Sequence, residues 1–93
     1  MSQIYRRNPE FVQREVAGEC LLVPIRRQPG DSNSIFVLNE TAASLWRRLD
    51  GTQALADIVD QLLSEYAVER EQLQKDVAVL IDDLLGIKAI SAA

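Results

Sequence analysis

The chain contains no histidine and a single cysteine, Cys20. Without histidine it cannot assemble a Ser-His-Asp or Cys-His catalytic pair, and it lacks the usual ligands of a structural zinc site. One cysteine cannot form an internal disulfide. Because Cys20 lies in an apolar segment with no cationic neighbour in sequence, we interpret it as a small core residue rather than a reactive thiol.

Glycine is also sparse and never clustered. The four glycines are scattered singly, at Gly18, Gly30, Gly51 and Gly86. No glycine-rich loop therefore joins a strand to a helix to hold a nucleotide phosphate, and no EF-type calcium loop is present. The paired carboxylates Asp82 and Asp83, like Glu69 and Glu71, fall on helix faces that we expect to be solvated. The sequence predicts a protein without catalytic activity, metal or cofactor.

Long apolar runs are missing as well. None approaches the roughly 20 residues needed to cross a bilayer, and the polar start at 1–10 lacks the apolar core of a signal peptide. The 93 residues are 47 % hydrophobic and 26 % charged, with a net charge of −4. These values predict one ordered domain over residues 1–93, cytoplasmic and without a membrane partner.

What the sequence does contain begins with three apolar segments rich in β-formers. Residues 11–16 and 20–25 flank Ala17-Gly18 and predict a hairpin. A polar loop at 26–33 precedes a third predicted strand, Ser34 to Leu38. This third strand is apolar on both faces, so either it is wholly buried or a partner covers one of its sides.

Three amphipathic helices follow. Asn39 is a good N-cap for the first, and Asp50-Gly51 is expected to stop it, with Gly51 in a left-handed C-cap. Apolar residues at steps of three and four from Leu55 to Tyr66 predict the second helix. A third is predicted from about Glu69 to Leu85, and residues 87–90 are expected to close the domain as a short strand or docked tail.

Val79 lies outside the apolar stripe of the third helix. It shares a line with Lys75, Asp76 and Asp83, about one helical turn apart. It is either a lone surface valine or an exposed apolar spot framed by charges.

Together these elements predict an α+β fold, a winged-helix-like domain with a three-stranded antiparallel sheet followed by three helices. One binding mode for such a fold is duplex recognition by the third helix. Carboxylates outnumber cations on that helix, with Glu69, Glu71, Asp76, Asp82 and Asp83 against Arg70 and Lys75. Insertion into a groove would press them against a polyanion, so we expect no nucleic-acid partner.

The other mode is β-augmentation, in which an extended peptide pairs with the open edge of the third strand and packs against the third helix. An open strand edge is an aggregation hazard unless it is covered or occupied, which favours a dedicated peptide partner. The same edge could pair with another copy of the chain, so a weak homodimer stays open.

The ordered set of residues resembles a known family. The residues that carry the resemblance are Asn8-Pro9, Val12, Arg14, Gly18-Glu19, Leu21-Leu22-Val23, Leu38-Asn39-Glu40-Thr41, Leu45-Trp46, Leu49-Asp50-Gly51, Ile58, Leu62, Glu65-Tyr66 and Asp76-Val77. They resemble the PqqD-like family of RiPP recognition elements, which are chaperones for ribosomally made precursor peptides. One departure is the end of the third helix, where the family usually has glycine followed by two apolar residues and this chain has Gly86-Ile87-Lys88.

The resemblance implies a domain that binds a precursor's leader peptide as an added strand and presents it to a modifying enzyme, often a radical SAM protein. It implies peptide-binding positions on the third strand and the third helix. Those positions are Ser34, Ile35, Phe36, Val37, Leu38, Lys75, Asp76, Val79, Leu80 and Asp83. Leu38 and Leu80 are either contacts or core supports, and Lys75 and Asp83 either pair with charges of the leader or form solvated salt bridges.

Overall fold

The computed structural model describes residues 2–25 and 36–93. The predicted loop at 26–33 and the predicted site residues Ser34 and Ile35 lie outside these ranges. In chain order the described elements are β1 (Ile4–Arg7), β2 (Phe11–Val16), β3 (Glu19–Pro24), β4 (Phe36–Leu38), α1 (Glu40–Arg48), β5 (Asp50–Ala54), α2 (Leu55–Glu65), α3 (Arg70–Gly86) and β6 (Ile90–Ala92).

The predicted hairpin and third strand form one antiparallel sheet in the order β2-β3-β4, here called the β4 sheet. Ala17 and Gly18 both have positive φ angles, of 52° and 80°, as a two-residue type I′ turn requires. Pro24 ends β3, where its missing N–H costs no interior ladder bond. The α+β class, this three-stranded antiparallel sheet and three helices are confirmed.

A second sheet, in the order β5-β1-β6, was not predicted. We call it the β1 sheet. The start of the chain, expected to be a polar lead-in, supplies its central strand, and the predicted closing tail forms β6 at 90–92. The β1 sheet joins segments that are far apart in sequence, since Tyr5 pairs with Ala92 and Arg6 pairs with Asp50.

The end of α1 also differs from the prediction, because the residues expected to stop the helix belong to the β1 sheet. The helix stops at Arg48 with Leu49 as its C-cap, and Asp50 already begins β5. Gly51 does adopt a left-handed φ of +83°, but it does so inside β5, next to the register shift between Ile4 and Arg6. The predicted backbone conformation was therefore right, and its role as a C-cap was wrong.

The core lies where the three helices pack against the two sheets. Its fully buried side chains include Leu22 from β3, Leu45 from α1, Ile58 from α2 and Leu84 from α3. Trp46 is 3 % exposed and fills the space near them. Cys20 is partly buried and packs against this cluster, and the Gln13 side-chain amide lies 3.0 Å from its sulfur. Among the described residues, no helix is long and apolar enough to cross a membrane.

Asn39 anchors the start of α1 as predicted. Its Oδ1 accepts a hydrogen bond from the Ala42 backbone N–H at 2.8 Å. Removing this acceptor in Asn39→Ala should lower the free energy of unfolding by about 1 kcal/mol and Tm by about 4–8 °C. Asn39→Asp keeps the acceptor and should retain most of the stability in the same thermal melt. An unchanged Tm in Asn39→Ala would contradict this role of the cap.

Candidate functional site

The outer edge of β4 has no neighbouring strand within the described residues. In the β4 sheet, β4 pairs only with β3, in the register Cys20 to Leu38, Leu21 to Val37 and Leu22 to Phe36. The C-terminal strand β6 pairs with β1 in the other sheet, so it does not cover this edge.

The hairpin turn determines which backbone groups face the open edge. In a two-residue hairpin the residues flanking the turn, here Val16 and Glu19, form a hydrogen-bonded pair, and such pairs alternate along the ladder. Cys20 and Leu22 therefore direct their N–H and C=O groups towards β4. Their partners on β4, at positions 36 and 38, bond back to β3. The N–H and C=O of Val37 consequently point away from the sheet.

A groove of about 530 Å³ runs beside this edge, between β4 and α3. We call it the β4–α3 groove. Six of the predicted site residues line it: Phe36, Val37, Asp76, Val79, Leu80 and Asp83. The prediction missed the groove residues supplied by α1 and its N-cap, by α2, by the segment before α3 and by other positions of α3, namely Asn39, Thr41, Ala42, Leu45, Leu62, Val68, Gln72, Leu73 and Val77.

Two predicted site residues lie elsewhere. Leu38 is only 3 % exposed and belongs to the core, so it supports the edge from behind. Lys75 is not part of the groove lining, and its Nζ lies 4.0 Å from a carboxylate oxygen of Glu71 one turn earlier on α3. This is a solvated i,i+4 ion pair of small energetic value.

The groove gathers apolar side chains that are unusually accessible. Val37, Val68 and Val79 are 58 %, 42 % and 61 % exposed, and all three line it. Val79 is thus not a lone surface valine, because it shares one concave surface with two others. Such grouping of exposed apolar side chains is typical of a site that a partner covers.

The charged part of the groove lining is acidic. Asp76 accepts a hydrogen bond from the Gln72 side-chain amide at 2.9 Å, and Asp83 lies two turns further along α3. No cationic side chain lines the groove within the described residues. The arrangement offers a free strand edge, apolar contacts and two carboxylates, which together suit an extended segment of polypeptide.

Comparison with known proteins places the chain in a family. The family model described as coenzyme PQQ synthesis protein D (PqqD) matches residues 19–90, most of the chain. The chain is also 37 % identical over 49 residues to the PqqA binding protein of Gluconobacter oxydans (strain 621H). That match covers 53 % of this chain and 51 % of the relative, so the chain spans about half the length of the curated protein it matches.

Two solved structures share the fold over almost the whole chain. TbiB1 in complex with the TbiA(beta) leader peptide has a TM-score of 0.69 at 19 % identity, covering 92 % of this chain and 94 % of that one. Lasso peptide synthetase B1 complexed with the leader peptide has a TM-score of 0.70 at 30 % identity, covering 94 % of this chain and 96 % of that one. With the family model and a relative of this identity matching over most of its length, the chain belongs to the PqqD family.

Proposed function

We propose that this protein is a non-catalytic peptide chaperone. It binds the leader segment of a ribosomally made precursor peptide by adding it as a strand to β4, and it presents the bound precursor to a modifying enzyme. The observation that carries the proposal is the outward-facing backbone of Val37 beside an apolar groove, at an edge that β6 does not occupy. A relative supports it, since lasso peptide synthetase B1, at 30 % identity, is complexed with the leader peptide.

The two sides of the groove have separate tasks in this mechanism. The N–H and C=O of Val37 hydrogen-bond the backbone of the incoming strand, which gives affinity for any extended segment. Alternate side chains of that strand point towards α3 and pack on Val79 and Leu80, which gives selectivity for apolar residues at those positions. Ordering a disordered leader costs about 2–5 kcal/mol of binding free energy. We therefore expect moderate affinity, with a micromolar Kd, which corresponds to a binding free energy of about −8 kcal/mol.

The identity of the modifying enzyme that receives the precursor is a further part of the proposal. A radical SAM protein is our first candidate, and a cytoplasmic setting suits a chain with one cysteine and no internal disulfide. We expect this protein to hold the leader without catalysing a reaction. Its groove has no histidine, and the two carboxylates that line it, of Asp76 and Asp83, lie among apolar side chains.

The test uses a precursor peptide to be sought among the short open reading frames near this gene. A synthetic peptide of its leader, titrated into the ¹⁵N-labelled protein, should shift the amide signals of Val37 and of α3 around Val79. Its Kd should change less than about threefold between 0.05 and 0.5 M NaCl, because apolar packing and backbone bonds are weakly screened. A duplex DNA of mixed sequence is the comparison. Signals that move elsewhere, or DNA binding that weakens steeply with salt through α3, would contradict leader binding.

A further inference from the structure

A second concavity, of about 770 Å³, lies at the far end of α3 and shares no lining residue with the β4–α3 groove. The cationic residues Arg6 and Arg7, from β1, and Lys88, just after α3, contribute to its lining. Its accessible apolar surface comes from Leu85, which is 39 % exposed, whereas the lining residue Ile90 is only 3 % exposed. We call it the basic cleft.

The cations of the basic cleft form no ion pair with a described carboxylate, in contrast to others in the chain. Ion pairs engage Arg48, Arg70 and Lys75. In the cleft, the Arg7 guanidinium instead donates to the backbone carbonyl of Arg47 at 3.2 Å. The protein has a net charge of −4. A concave site lined by cationic residues without ion pairs therefore has the opposite sign to the protein as a whole.

One carboxylate, that of Asp50, also lines the cleft, and it is held by its own neighbour. Its Oδ1 accepts hydrogen bonds from the Thr52 hydroxyl at 2.7 Å and the Thr52 N–H at 3.0 Å. These bonds, with a smaller contribution from the Arg7 charge, lower the pKa of Asp50 below its ordinary value. Asp50 therefore stays ionised, and the lining of the cleft has three cationic residues against one carboxylate.

The backbone conformation of Lys88 is the strongest indication that its side chain has a function. Lys88 has a φ of +63°, a left-handed conformation that favours glycine. It occupies the position after the C-cap of α3, where its N–H bonds the carbonyl of Leu85 at 3.1 Å and the next N–H, of Ala89, bonds Leu84 at 2.9 Å. This is a Schellman motif, in which glycine is the usual residue. Here glycine comes two residues earlier, at Gly86, and lysine takes the strained position.

We propose that the basic cleft binds an acidic segment of a partner protein, with carboxylates meeting Arg6, Arg7 and Lys88 and an aliphatic side chain packing on Leu85. A polypeptide suits the cleft better than a nucleic acid, since an aliphatic side chain can cover the exposed Leu85 and a phosphate backbone cannot. Because the groove and the cleft are separate, a leader and this second partner can be bound together.

The test separates a binding role for Lys88 from a structural one. The probe is an acetylated and amidated peptide with the core Asp-Glu-Leu-Glu-Asp, titrated into the ¹⁵N-labelled protein. Lys88→Gly relieves the left-handed strain, so Tm should rise by about 3–5 °C while affinity for the probe falls about three- to fivefold. Lys75→Gln removes the same charge from the other end of α3 and should change the affinity less than about twofold.

Each outcome bears directly on the proposal. Amide shifts at positions 6, 7 and 88, lost with Lys88→Gly and with high salt, support it. Absence of shifts at millimolar probe, shifts outside the cleft, or equal affinity in Lys88→Gly would overturn it, as would a short duplex DNA binding the cleft in place of the peptide. The leader titration uses a different surface, so failure of either experiment leaves the other interpretable.

Discussion

Val37→Pro should weaken leader binding about 30- to 100-fold while the protein stays folded. The substitution removes the one N–H of β4 that points away from β3, and it places a ring where the added strand must approach. A carbonyl of the leader is then left without a donor inside the complex, at a cost of about 2–3 kcal/mol with the steric term included. Isothermal titration calorimetry with the leader peptide measures the change.

The chain offers a matched control for this proline. Glu15 lies opposite Cys20 at a non-hydrogen-bonded position of the hairpin. The N–H of Glu15 therefore also points away from the β4 sheet, but at the opposite edge, on β2. Glu15→Pro should lose a similar amount of stability and leave leader affinity within about twofold of the original. If both prolines weaken binding equally, the effect comes from general loosening of the β4 sheet and the edge assignment is wrong.

Val79→Glu should weaken leader binding by a comparable amount, because Val79 lies on α3, on the opposite side of the groove from β4. Val79 is 61 % exposed in the free protein, so the change should alter the free energy of unfolding by less than about 0.5 kcal/mol. Once a leader covers this position, the new carboxylate is desolvated next to Asp76 and Asp83 without a cationic partner in the groove. We expect a loss of about 2–3 kcal/mol in binding, again about 30- to 100-fold.

Val16→Glu is the comparison for Val79→Glu. Val16 is 54 % exposed and lies on the hairpin, outside the groove lining, so the chemical change and the starting exposure are nearly the same. Fluorescence anisotropy with a labelled leader should show normal affinity for this variant. Normal affinity in Val79→Glu itself would place the peptide away from α3 and contradict the proposed geometry.

The parts of the fold that followed from sequence are those with strong local signals. The alternation in the hairpin, the Asn39 cap and the regular apolar steps of the helices each report on neighbours within a few residues. The β1 sheet has no such signal. Its central strand holds only Ile4 and Tyr5 as apolar residues, and β5 contains Asp50 and Gly51, which locally favour a turn. Pairing across almost the whole chain overrides that preference.

The candidate site was partly predictable for the same reason. Periodicity separated Val79 from the buried stripe of α3, and its exposure agrees with that. Val68 and Thr41 could not be found this way, because they reach the groove only when the segment before α3 and the first turn of α1 meet β4 in three dimensions. Lys88 was also missed, since nothing in a sequence pattern shows that a lysine occupies a left-handed turn.

The β1 sheet also determines how this domain can be joined to other chains. The N–H of Ala93 donates to the carbonyl of Ile4 at 2.8 Å, so the start of β1 lies beside the end of the antiparallel strand β6. Neither strand contributes to the β4–α3 groove. We therefore expect a linker attached to either of these strands to leave the β4–α3 groove open, in whichever order the domain is joined to a second protein.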